Sequence, residues 1–207
     1  MSNRSFNALL NVFGDNLAAS ICVAMPGRVT AYEREKHRAS VQPLLRRVYA
    51  DGRADDMPVI PGVPVIFPQA GGAVLDFPVA KGDTVLLVFA DRALDTWLAS
   101  GDMATPPSLA SHTLSDAIAI PGLRAFNGKP IPNAGNDVIL SYAGAVFRLK
   151  EDGDVELSAP KVKIVGDVEV DGDVTASGDV KAGTVSLQHH IHSGVQGGAG
   201  NTGQPVT

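Results

Sequence analysis

Hydrophobic and polar residues alternate along residues 162–182 with the two-residue period of an extended strand. The apolar side chains stand at even positions, and charged or hydroxyl side chains stand between them, with Val165 as the exception. The even set is Val162, Ile164, Val168, Val170, Val174, Ala176, Val180 and Ala182. Gly-Asp-Val occurs three times here, at Gly166, Gly172 and Gly178, and Gly183-Thr184-Val185 is an imperfect fourth copy. The pattern predicts short strands separated by glycine turns, with one apolar face.

One chain is too short to bury this apolar face. Three repeats amount to about one coil of a single-chain β-helix, and repeat units need neighbours on which to stack. Burying a valine side chain contributes roughly 1.5–3 kcal/mol, so leaving the whole set in water would forgo on the order of 10 kcal/mol. We therefore predict that several chains wrap around one axis with their valines inward, most simply as a homotrimer. The apolar side chains become smaller toward the C-terminus, as a tapering shaft requires.

The N-terminal segment has a different period. Residues 4–20 place apolar residues at helical spacing and predict a short amphipathic helix. Its apolar positions are Phe6, Leu9, Leu10, Phe13 and Leu17. Two interpretations stay open: the helix packs on its own domain, or it docks the chain onto a larger assembly.

From residue 24 to residue 97 the pattern is typical of strands. Five candidate strands are separated by Gly, Pro and Asp turns: GRVTAYE, ASVQPLLRRVY, GVPVIFP, GAVLDFPV and DTVLLVFA. Five short strands in such a segment predict a small Greek-key barrel of the OB type. The continuous apolar runs in VPVIFP and TVLLVFA predict strands that are buried on both sides. The predicted fold is therefore all-β, with an N-terminal OB-like barrel and a C-terminal trimeric, intertwined β-helix that ends in a pointed apex.

The remaining segments complete the predicted domain organisation. Prolines at 106, 107, 121, 130 and 132 indicate a connector with room for a short helix or strand, in which His112 is expected to be structural. The sequence NDVILSYAGAVFRLK predicts a hairpin that turns at Ala143-Gly144. The predicted divisions are a helix or arm at 1–22, the barrel at 23–100, the connector at 101–135, the shaft at 136–187 and the apex at 188–207.

Composition and charge exclude several classes of protein. The net charge is -5, the aromatic content is 5%, and no basic stripe is visible, so we expect no nucleic-acid binding. The single Cys22 excludes an intrachain disulfide framework. Asn7, Asn11 and Asp15 interrupt what would be the apolar core of a signal peptide, so we expect the protein to be made in the cytoplasm and not secreted by the general route. No nucleophile elbow, P-loop or HExxH motif is present, so we expect neither an enzyme nor a small-molecule substrate.

Several segments together resemble one known family. They are FPQAGGAVLDFPVAKGDTVLLVF followed by DRALDTW in the barrel, LSDAIAIPGL in the connector, the Gly-Asp-Val shaft and the terminal His-Ile-His. In this order they resemble the membrane-piercing spikes of contractile phage tails and R-type bacteriocins, that is, baseplate assembly protein V and the Gp138-like spikes. The resemblance implies a homotrimer whose barrel ring sits on the baseplate hub or tail tube. It also implies a non-enzymatic part of the virion tail baseplate, or of a bacteriocin particle, that plugs the tube and pierces the bacterial outer membrane when the sheath contracts.

The same resemblance implies an iron ion at the apex. One ion per trimer would be held by the His-x-His motifs of three chains, and His190 and His192 match that motif. Six imidazoles suit an octahedral metal, whereas zinc prefers four ligands. The alternation of the shaft leaves a second possibility open. The five-residue step to Gly183 moves the apolar face to Val185, Leu187 and Ile191, and this phase would direct His189 inward.

Two other classes of function fit parts of the pattern. A six-residue valine period also occurs in left-handed β-helix acyltransferases, but those trimeric enzymes need many coils and this chain has about one. A receptor-binding fibre tip would need aromatic side chains at the apex, and the last aromatic residue is Phe147. We therefore predict a mechanical spike, with a hexapeptide-repeat-like trimeric enzyme or a receptor-binding fibre tip as the alternatives.

Overall fold

The computed structural model of the chain describes residues 3–49, 51–128 and 135–191, together with Gly194 and Gly198. The chain divides into two compact units, Met1–Pro132 and Asn133–Thr207. Most of the regular structure is β-strand, which confirms the all-β prediction. The trimeric β-helix stays a prediction, because it depends on contacts between chains.

The N-terminal helix, α1, spans Asn3–Ser20 and confirms the predicted helix. Its apolar stripe is not covered: Phe6, Leu9, Leu10, Phe13 and Leu17 are each between 51% and 66% exposed. A helix packed on its own domain would bury this stripe. The exposure therefore favours the second interpretation, in which the helix serves as a docking element.

The strands of the first unit are β1 (Ala24–Glu33), β2 (Arg38–Pro43), β3 (Arg47–Val48), β4 (Ala54–Asp55), β5 (Ile60–Pro64), β6 (Gln69–Ala70), β7 (Ala73–Val74), β8 (Thr84–Phe89) and β9 (Ala117–Pro121). Five of them form an antiparallel sheet in the order β5-β2-β1-β8-β9. A parallel bridge between Val65 and Ala119 joins the two edges of this sheet. The sheet therefore curls into a half-barrel, which corresponds in part to the predicted OB-like barrel.

One of the five predicted sheet strands is wrong. GAVLDFPV contributes only β7, which forms a small hairpin with β6. The fifth strand of the sheet is β9, which lies in the segment that the sequence assigns to the connector. It pairs with β8 along its whole length, from Val85 opposite Pro121 to Phe89 opposite Ala117. This pairing is a long-range contact, and the five residues of β9 are too few for their own pattern to reveal it.

The core of the first unit lies inside the curled sheet. Alternate residues of β8 are fully buried, namely Val85, Leu87 and Phe89, and the residues between them are half-buried. The rest of the core comes from Met25, Val29, Ala39, Val41, Ile60, Val63, Val65, Phe67, Ala117 and Ala119. Ile66 is 50% exposed, so the prediction that VPVIFP is buried on both sides is wrong. One side of the sheet faces the core, and the other is partly open to solvent.

A buried carboxylate, Asp116, ties the end of the sheet to a second helix, α2 (Asp95–Ser100). It accepts hydrogen bonds from the Leu94 amide at 3.2 Å and from the Thr113 hydroxyl at 2.5 Å. The nearby His112 donates its backbone N–H to the Ala90 carbonyl at 3.0 Å, and its ring Nδ1 lies 3.3 Å from the Phe89 carbonyl. His112 therefore has the structural role that the sequence predicts.

The second unit contains β10 (Val138–Tyr142), β11 (Ala145–Leu149), β12 (Val155–Ser158), β13 (Lys181–Ala182) and β14 (Val185–Ser186). The first three form an antiparallel sheet in that order, and the last two form a hairpin. Ala143 and Gly144 both have positive φ, 49° and 88°, as a two-residue hairpin turn requires. The predicted hairpin is therefore confirmed.

Replacing Gly27 by Ala should destabilise the first unit. A Cβ atom there would lie 2.5 Å from Val41 Cγ1 and 2.9 Å from Leu87 Cδ1, both in the core. Overpacking of this kind costs about 1–3 kcal/mol, which thermal or denaturant unfolding would measure. Gly14→Ala is the matched control, because a Cβ atom added there would have no neighbour within 4 Å and Ala favours helix. Equal stability of the Gly27 variant and the parent would contradict the close packing of β1 against Val41 and Leu87.

Candidate functional site

The first feature of the candidate site is a long segment without regular secondary structure, residues 159–180, between β12 and β13. Within the described part of the chain this segment forms no β-ladder with any strand. Gly166 and Gly172 have φ values of 130° and 147°, in the region that favours glycine, so the first two Gly-Asp-Val copies place glycine where the backbone requires it. Among the described residues, the one backbone hydrogen bond of the segment runs from the Leu187 N–H to the Val180 carbonyl, so its other backbone groups are available for pairing with another chain.

The apolar face of this segment is exposed. Six large apolar residues at even positions, Val162, Ile164, Val168, Val170, Val174 and Val180, are between 47% and 74% exposed. Val165, on the opposite parity, is 85% exposed. The chain itself therefore does not bury the apolar side chains at the even positions.

The shaft repeats end in the hairpin of β13 and β14. Lys181 pairs with Ser186 and Ala182 pairs with Val185, so the loop between the strands has two residues. Its first residue, Gly183, has a φ of 61°, and glycine is the usual residue at this position of a tight hairpin. The imperfect fourth repeat is therefore a turn. It stops the six-residue period and brings the chain back on itself just before the three histidines.

Ser186, at the end of β14, organises the segment that follows. Its hydroxyl donates to Asp179 Oδ1 at 2.8 Å and accepts the backbone N–H of His189 at 2.9 Å. Its carbonyl accepts the backbone N–H of His190 at 3.1 Å. The carboxylate of Asp179 also accepts the Gln188 amide at 3.3 Å. The sequence analysis missed both Ser186 and Asp179, because Asp179 is one of three identical repeat aspartates and no motif marks Ser186.

His190, one of the two predicted metal ligands, has its ring oriented by the same turn. Its Nδ1 lies 2.9 Å from the Ser186 carbonyl and 3.1 Å from the Leu187 carbonyl. Carbonyl oxygens only accept, so Nδ1 carries the proton and donates. In the neutral ring Nε2 then holds the lone pair, and a histidine that donates its other N–H to a backbone carbonyl is the usual form of a metal ligand. The arrangement of His190 therefore fits a metal site.

Ser186, His189 and Asp179 come together, but they do not form a catalytic triad. The His189 Nδ1 atom lies 3.2 Å from the Ser186 hydroxyl oxygen. Because the only hydroxyl proton of Ser186 is donated to Asp179, the ring of His189 must donate to the serine oxygen. In a triad the histidine stands between serine and carboxylate and accepts the serine proton. Here the serine stands in the middle, so the contacts stabilise the turn and do not activate a nucleophile.

His192, the other predicted ligand, lies outside the described residues, so the pair of His190 and His192 stays a prediction. Among the residues that the structure describes, no group of three or more His, Cys, Asp or Glu side chains is suited to hold a metal ion. An octahedral site shared by three chains would need only two ligands from each chain. Of the two predicted ligands, His190 is the one that lies among the described residues.

Two family models match the chain. The N-terminal domain of phage protein Gp138 matches residues 25–122, which begin in β1 and end just after β9. The GpV Apex motif matches residues 185–206, which contain Ser186 and the three histidines. Both matches support a phage baseplate spike family of the gpV and Gp138 type. The comparison with curated proteins gives no match.

The two matches agree on the kind of protein. Both are families of the phage baseplate and spike, which supports a structural role in the virion tail and association with other baseplate or tail proteins. In the described residues, no helix combines the length and the hydropathy needed to cross a membrane. The first matched range includes β9, so the curled sheet and the family domain share this fifth strand.

Proposed function

We propose that the chain forms a homotrimeric, non-enzymatic spike at the tip of a contractile tail tube. The spike closes the tube before contraction and is driven through the bacterial outer membrane when the sheath contracts. The observation that carries this proposal is the segment at 159–180, whose backbone has no ladder in the described chain and whose apolar side chains are exposed. If three such segments wind around one axis, their backbones can pair with one another and their apolar side chains can be buried together.

The energetics favour this arrangement. Large apolar side chains contribute roughly 1.5–3 kcal/mol each on full burial, so three chains would together gain tens of kcal/mol before the ordering cost is subtracted. Interchain hydrogen bonds would pair the free backbone groups, and the acidic odd-numbered side chains would remain in water. A closed ladder around a dry core resists bending, which is the property that a piercing tip requires.

At the apex, His190 and His192 of the three chains would bind one iron ion. The described His190 ring, held through its Nδ1 by two carbonyls, is compatible with this role. With all six positions filled by protein, the ion would have no open site for substrate and would act as a structural clamp. Its contribution is to join three chain ends that lie beyond the last shaft valines.

The exposed stripe of α1 is proposed to dock the trimer onto the baseplate hub or tail tube. The family associates with other baseplate and tail proteins, and α1 presents large apolar side chains that the first unit does not cover. Phe6 and Phe13 stand about two turns apart on this stripe, which is the spacing of anchors that enter a groove of a partner.

Replacing Val174 by Asp should abolish assembly, because three unpaired carboxylates would meet in an apolar core. Sedimentation of the parent should give three times 21.5 kDa, and the variant should sediment as smaller species. Val165→Asp is the matched control. It makes the same change on the opposite parity and should leave the mass unchanged. Both side chains are exposed in one chain, at 74% and 85%, so only assembly distinguishes the variants. A stable folded monomer of the parent at micromolar concentration would refute the trimer.

Elemental analysis of purified trimers should find one iron per three chains. The double substitution His190→Ala with His192→Ala should remove it, lower the thermal stability of the apex and leave the trimer mass unchanged. His189→Ala serves as the control and should retain the metal, because His189 lies outside the proposed His-x-His pair. The proposed site is wrong if the parent trimer holds no transition metal. The assignment of ligands is wrong if His189→Ala empties the site.

Replacing Phe13 by Asp should weaken docking while the trimer mass stays the same. The side chain is 66% exposed, so the change should not disturb the first unit, but a carboxylate buried in an apolar groove is costly. Incorporation of the variant into assembled tails should fall by about tenfold or more. Asn11→Asp adds the same charge to the polar side of α1 and should incorporate normally. Normal incorporation of the Phe13 variant would show that α1 is not the docking element.

A further inference from the structure

The third repeat aspartate differs from the other two in what it contacts. Asp167, Asp173 and Asp179 occupy the same position in three Gly-Asp-Val copies. Within the described residues Asp167 and Asp173 make no side-chain hydrogen bond, whereas Asp179 accepts bonds from both Ser186 and Gln188. The side chain of Asp179 is only 20% exposed. The same sequence motif therefore has a separate role in its last copy.

The contacts form a path from the repeat to the histidines. Asp179 Oδ1 receives the only proton of the Ser186 hydroxyl, which directs the two lone pairs of Ser186 Oγ toward His189. Both the backbone N–H and the ring Nδ1 of His189 donate to that oxygen, at 2.9 Å and 3.2 Å. The rotamer of Ser186 and the position of the backbone that follows are thus set together.

The same turn then orients His190. The Ser186 carbonyl accepts both the backbone N–H of His190 at 3.1 Å and its ring Nδ1 at 2.9 Å. The Leu187 backbone is fixed as well, because its N–H donates to the Val180 carbonyl at 2.8 Å, one residue after Asp179. The ring of His190 is therefore oriented by a turn that is itself held in place by hydrogen bonds to Asp179 and Val180.

We propose that Asp179 is a positioning residue for the apex metal: through Ser186, its carboxylate holds the turn in which His190 presents Nε2 as the ligand atom. This inference rests on the proposed metal site and deepens it. The carboxylate does not contact the metal. It fixes the ring orientation of His190 before the metal binds. The last shaft repeat and the metal site then form one structural unit.

The test compares Asp179→Ala with Asp173→Ala in the full-length trimer. Outer-shell partners of metal-binding histidines typically contribute roughly 10- to 100-fold to metal affinity. Iron transfer to a competing chelator should therefore show at least about a tenfold weaker site in Asp179→Ala and an unchanged site in Asp173→Ala. Asp179→Asn keeps an oxygen that can accept from Ser186, so it should restore much of the affinity. Ser186→Ala should resemble Asp179→Ala.

Two further measurements separate positioning from general stability. Lys181→Met removes the 3.9 Å ion pair to Asp179 but none of the hydrogen bonds, and it should bind iron like the parent. Amide hydrogen exchange of the metal-free trimer should show faster exchange at Gln188 and His189 in Asp179→Ala, because both amides lose their acceptor or its orientation. The trimer mass of every variant is checked by sedimentation.

Each result decides the inference. Weaker iron binding in Asp179→Ala and Ser186→Ala, with parent-like binding in Asp173→Ala and Lys181→Met, supports it. Parent-like iron affinity in Asp179→Ala overturns the inference and leaves the proposed iron site standing. Equal weakening in Asp173→Ala also overturns it, since the effect would then belong to shaft charge in general. A parent trimer without iron overturns the proposed metal site and the inference together.

Discussion

The structure depends on one constraint: a segment with regularly spaced, exposed apolar residues and no strand partner in the described chain. An isolated strand of this kind leaves its backbone groups to water and its valines exposed, and neither condition stabilises a fold. The segment runs over residues 159–180. In the proposed trimer, two other copies of the same segment would cover its apolar side chains and pair with its backbone.

The first unit does not share this dependence. Its five-stranded sheet curls until the two edges meet at Val65 and Ala119, and its core residues are buried by the chain itself. Buried Asp116 and the bonds of His112 close the end of the sheet. Its helix α1 keeps a row of large apolar side chains exposed, and this row is the surface that we propose for docking.

The conformation of the apex segment is set by hydrogen bonds between residues that are close in the sequence. The two-residue loop at Gly183 ends the repeats, and Ser186 then links the last repeat aspartate with His189 and His190. These bonds all form within residues 179–190 of one chain, so the His190 ring is oriented without contacts from another chain. In the proposed spike, three rings oriented in advance would lose less conformational entropy when they bind one ion.

The sequence alone determined the features that local patterns encode. Helical spacing predicted α1, the strand pattern on both sides of Ala143-Gly144 predicted the hairpin, and alternation identified the even-numbered apolar residues of the shaft, which the chain leaves exposed. The His-x-His motif and the order of segments pointed to the family that both matches support. Only the tertiary structure placed β9 as the fifth strand, buried Asp116 and distinguished Asp179 from its two equivalents. The physical reason is the same in each case: a residue's partner lies elsewhere in the chain, and a periodic pattern records which face a side chain occupies but not what it meets there.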